Sequence, residues 1–158
     1  MTDASFKDGR EAPLNLGAED ADDLQVIATL TQDAVFPVTE MTWQPGQRRF
    51  ALLLNRFRWE DKDAAARRGR AYERVQAVLM FGSVLSVASQ GIDRSDKDMI
   101  LSLLSVEFES SEDGAGQILL TLAGDGAIRL SVEAIDATLK DVTRPYKAPS
   151  GQAPHHPE

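Results

Sequence analysis

Ile118, Leu120 and Leu122 alternate into Gly124-Asp125-Gly126, and Ile128, Leu130 and Val132 alternate out again. No other stretch restricts the fold of this chain as strongly. A period of two sets one side of each run against a core, and Asp-Gly supplies the left-handed positions that a tight turn needs. An antiparallel hairpin is predicted here, and the rest of the chain has to supply strands and a cover for it.

Pro13 to Gly17 suits a short strand, after which Asp20 or Asp22 can cap a helix burying Leu24, Ile27 and Leu30, with Val26 on the same stripe. That helix has to end before Pro37. Val35 to Trp43 reads as a strand, and Gln44-Pro45-Gly46-Gln47 as a type II turn into the strand that follows. Residues 60–72 predict a short exposed helix broken at Gly69. Val75 to Ser89 is taken as one long strand bent at Gly82, and 95–99 as a helical turn before a strand. Ile135, Leu139 and Val142 fall at helical spacing. The fold class expected is α+β: an antiparallel sheet or barrel of about seven strands, pleckstrin-homology-like, with a helix near each end. Polar residues 1–12 and the proline-rich stretch 143–158 are predicted to be disordered tails around a single domain, 13–142.

With 158 residues, 42% of them hydrophobic, the chain can bury one real core. It has no Cys, which excludes disulfides, thiol catalysis and thiolate metal sites. The N-terminal stretch lacks an apolar leader, and no apolar run approaches the roughly 20 residues of a membrane helix, so a cytoplasmic protein without membrane attachment is expected. The net charge of −8 disfavours nucleic acid.

That acidity is unevenly spread. From Arg48 to Arg74 nine basic residues stand against four acidic ones, while the remainder holds eight against twenty-one. Strand alternation over RRFALLLNRFRW would set Arg56 and Arg58 on one face, toward solvent, and Phe57 and Trp59 on the other with Ala51 and Leu53. Arg48, Arg56, Arg58, Arg67, Arg70 and Arg74 are then the candidate contacts to a protein or another anionic ligand. Asp93, Asp96 and Asp98 form the alternative, a small divalent-metal enzyme, although their spacing lacks the central Gly and final Glu of a calcium loop. A homodimer pairing open strand edges is the third reading. Both histidines, His155 and His156, lie in the proline-rich stretch, and no nucleotide, hydrolase or zinc-protease motif occurs. The sequence thus assigns no catalytic residue and no cofactor, and it favours binding over catalysis.

Three phrases, RRFALLLNRFRWE, GIDRSDKDMILSLLSVEF and GDGAIRLSVEAIDATLKDV, carry a family likeness. Together they resemble the alphaproteobacterial family known as domain of unknown function 2948, over roughly residues 13–142. The resemblance implies no activity, cofactor or catalytic residue. Gln90 stands before Gly91-Ile92-Asp93 where the family pattern expects Arg.

Overall fold

The computed structural model of the protein describes residues 13–69, 71–147 and Pro154. Its strands are β1 (Asn15–Ala18), β2 (Val35–Pro37), β3 (Met41–Gln44), β4 (Arg49–Phe57), β5 (Glu73–Phe81) and β6 (Val84–Gln90), followed by β7 (Ile100–Ser110), β8 (Gly116–Leu122), β9 (Ala127–Val132), β10 (Ala137–Asp141) and β11 (Tyr146–Lys147). Two short helices interrupt them, α1 (Ala21–Thr31) and α2 (Lys62–Arg67). The result is one open sheet of 11 strands in the order β1-β10-β5-β4-β2-β7-β8-β9-β6, with β11 also on β5 and β3 also on β4. All pairings are antiparallel.

The predicted hairpin is β8–β9, with Ile118 paired to Leu130 and Leu120 to Ile128. The left-handed position in its turn is Gly124, at φ 81°, not the Asp-Gly pair. One core cluster joins the inward residues of β4 and β5, such as Leu52, Leu54, Leu79 and Phe81, to those of β8 and β9. Helix α1 adds Leu24, Ile27 and Ala28 to it. Asp20 caps that helix, its carboxylate accepting from the Asp23 amide at 2.8 Å. Leu24 and Ile27 are buried as expected, whereas Val26 is 52% exposed.

Several expectations are corrected. The strands number 11, not about seven. The C-terminal helix is strand β10: Ala137, Leu139 and Asp141 alternate inward, and Leu139 pairs with Leu79. Ile135 and Leu139 share strand parity as well as helical spacing, while Val142 does not and is 49% exposed. The pleckstrin-homology-like closure relied on that helix. Residues 75–89 form two strands, since β5 pairs with β4 and β10 but β6 pairs with β9. The break falls at Gly82-Ser83, where the Gly82 amide donates to the Asp136 carbonyl at 2.7 Å and Ser83 takes φ 56°. The 45–47 turn is 3-10 in form, with Arg48 and not Gly46 in the left-handed region at φ 55°. Residues 94–98 are turns without helix. β11 lies in the stretch expected to be a tail, while 1–12, 148–153 and 155–158 lie outside the described residues. Among the described residues, no helix is long and apolar enough to cross a membrane.

Candidate docking face

The parity of β4 is the reverse of that expected. Phe50, Leu52, Leu54 and Arg56 point into the core, and Arg56 is 0% exposed. Its guanidinium is spent on two carboxylates: Nε and Nη2 donate to Asp141 at 3.0 and 2.9 Å, and Nη1 and Nη2 to Glu60 at 2.9 and 2.8 Å. Asp141 also accepts from the Leu14 amide at 2.9 Å. Arg58 is buried too, with Nη1 donating to Glu73 at 2.5 Å and lying 3.6 Å from Asp61. Two guanidiniums are thus enclosed by four carboxylates at one end of the sheet. Burial of Glu60 opposes its ionisation, but the hydrogen bonds and charge of Arg56 outweigh it and hold the carboxyl below its usual range.

This arrangement is a clasp. It ties β4, β5 and β10 to the 59–61 turn that leads into α2. On the opposite side of β4, Phe57 is also fully buried, under Trp59 at 4.8 Å between ring centroids and Tyr72 at 5.8 Å. Trp59 Nε1 donates to the Gln32 carbonyl at 3.0 Å. The Phe57 ring is therefore covered and cannot stack on a base.

The other expected contacts do not converge. Arg48 pairs with Glu133, and Arg67 is exposed on α2. Arg74 is half-buried and donates to the carbonyl and side-chain oxygens of Asn55. Arg70 lies outside the described residues. Asp93 and Asp96 are used by their own loop: Asp93 accepts from the Ser95 amide at 3.0 Å and its hydroxyl at 2.5 Å, and Asp96 from the Asp98 amide at 3.2 Å. Hydrogen bonds from Ser95 hold the exposed Asp93 carboxyl below its usual range. Among the described residues, no group of three metal-ligating side chains forms.

What the basic stretch does build is an apolar outer face. Phe50-Ala51-Leu52-Leu53-Leu54 and Ala77-Val78-Leu79-Met80-Phe81 are continuous apolar runs, so both sides of β4 and β5 carry hydrophobic groups. Such runs belong to strands covered on two faces. The register puts Ala51 beside Met80 and Leu53 beside Val78, all facing outward and all partly exposed. Pro37 and Ile100, paired across β2 and β7, extend the patch, and Ile100 is 62% exposed. Its border is Thr42, Gln44, Arg49, Asn55, Gln76, Thr138 and Lys140, with Asp136 beside Gly82 at one corner. Arg49 and Lys140 are exposed. The β8–β9 hairpin is more polar outside, turning Gln117, Thr121, Arg129 and Ser131 outward around Leu119.

Leu53, Val78, Met80 and Ile100 were missed by attention to charge. The signal that finds them is the loss of alternation in β4 and β5. A search of curated proteins and a search of solved structures each return no match. The profile of a family described as a protein of unknown function, DUF2948, matches residues 14–156, which is nearly the whole chain. The chain belongs to that family.

Proposed function

We propose that the protein is a docking module, not a catalyst, and that the outer face of β4 and β5 receives an acidic protein partner. The observation that carries this reading is a partly exposed apolar patch with two cations, Arg49 and Lys140, on a polar rim. An exposed apolar surface of this kind, rimmed by polar groups, is where association gains most from leaving water. The partner it fits presents an apolar stripe flanked by Asp or Glu. A second copy fits less well, because two such faces would oppose cation to cation.

Binding is also favoured by what the titratable groups are doing. The clasp carboxylates and guanidiniums bond to one another, and the described residues contain neither His nor Cys.

A photo-crosslinking residue placed at position 53 tests the reading in the native host cell. One discrete heterologous adduct is expected, weakened by reversing Arg49 and Lys140 to Glu, with none from position 107 on the other outer face. Equal labelling from 53 and 107, or an adduct only to a second copy, contradicts it.

A further inference from the structure

Among the described residues, the edges of β3 and β6 remain open beside one another: β3 is bonded in the sheet only to β4, and β6 only to β9. The two approach at one end, where the Val84 amide donates to the Arg48 carbonyl at 2.9 Å. Beyond that bond a cavity of 60 Å³ lies between them. Met41 and Trp43 of β3 and Val87 and Ser89 of β6 form its walls, with Phe50, Ile128 and Arg94 completing the lining.

The four wall residues sit at inward positions. Met41 pairs with Leu52, Trp43 and Phe50 are opposite one another, Val87 pairs with Leu130 and Ser89 with Ile128. Each is nonetheless partly or largely exposed, because among the described residues no further strand pairs beyond β3 or β6. Inward-facing apolar groups and unpaired backbone groups thus meet at one seam.

Arg94 is held at this seam by the loop of residues 91–98. Gly91 takes φ 68° and packs so closely on the β8–β9 turn that a Cβ there would meet Asp125 O at 2.7 Å. The Asp93 and Asp96 bonds then fix the course of the chain after it.

We propose that the seam is a strand-addition site for an extended segment of a protein partner. The segment's backbone pairs with β6, a short aliphatic side chain enters the cavity, and an acidic side chain meets Arg94. β6 is the template because it offers seven residues against four in β3. The cavity is well below the ~150 Å³ that accepts a benzene ring, which limits the side chain to aliphatic size. A free acid would satisfy Arg94 but leave the edge groups unpaired, and only a peptide backbone serves both. The site uses inward residues and the edge of β6, whereas the patch uses outward residues of β4 and β5, so each can fail alone.

The test uses the full chain and a blocked heptapeptide of alternating threonine and valine with a glutamate two places from its central valine. Amide shifts should concentrate on residues 86–90 and saturate at millimolar peptide. Arg94→Glu should weaken binding roughly tenfold, the loss of about 1.4 kcal/mol, and a lysine version of the peptide should bind Arg94→Glu better than the native chain. Absence of saturable shifts at millimolar peptide, or shifts outside the seam, would overturn the proposal. So would equal binding by isovalerate, by a peptide N-methylated along the pairing edge, or by the lysine peptide to the native chain.

Discussion

Arg56 is the residue on which sequence and structure differ most. Alternation alone fixes which residues share a face, and which face is inward depends on the apolar partners. In β4 those partners lie on both sides, so parity was legible and direction was not. The position of the carboxylates decides it: Asp141, 85 residues away, waits on the inner side. Removing Asp141 leaves Arg56 paired with Glu60 alone and its two bonds to Asp141 unmade in a buried site. Asp141→Ala should therefore cost about 1–3 kcal/mol in chemical denaturation, more than an exposed Asp→Ala such as Asp98→Ala. Glu60 adds a pH dependence. Its folded pKa is depressed, so its contribution is complete above the unfolded value, about 4.3, and is lost as pH falls through the folded one. The thermal midpoint of the native chain should fall below about pH 4.3, and Glu60→Gln should be lower at neutral pH with a flatter acid limb.

Elements were legible where one pattern stood alone. The β8–β9 hairpin has clean alternation and a glycine turn, and α1 has its aspartate cap and apolar stripe. β10 was misread because Ile135 and Leu139 satisfy both periods, and the choice was made by β1 and β5 pairing on either side of it. β5 and β6 were fused because a two-residue turn carries little sequence signal, while the contact of Gly82 with Asp136 is a tertiary fact. Two substitutions test the element boundaries. Asp20→Ala removes the α1 cap and should cost about 1 kcal/mol. Gly116→Ala should cost more, about 1–3 kcal/mol, since its Cβ would meet Glu109 O at 2.2 Å and the Phe108 ring at 2.8 Å across the β7–β8 pair. Urea titration with unchanged slope distinguishes these losses from a change in the unfolded state.

The molecule as a whole is an open sheet curled around one core, and openness is what gives it surfaces to offer. Charge segregation was visible in the sequence, yet Arg48, Arg56, Arg58 and Arg74 are engaged within the fold. Arg56 and Arg58 fasten the 59–61 turn, and Arg48 ends the β3–β4 turn and pairs with Glu133. What remains outward is less obvious: Leu53, Val78, Met80 and Ile100 between Arg49 and Lys140. Covering such a patch should protect it without moving the strands, because β4 and β5 are already locked by eight residue pairs. The docking account therefore rests on those methyl groups facing water in the isolated chain. Paramagnetic relaxation of methyl resonances by a soluble gadolinium agent measures this directly. The account predicts strong broadening of Leu53, Val78, Met80 and Ile100, with Leu52 and Leu79 spared. Methyl groups of Leu53 and Val78 as protected as those of Leu52 and Leu79 would contradict it.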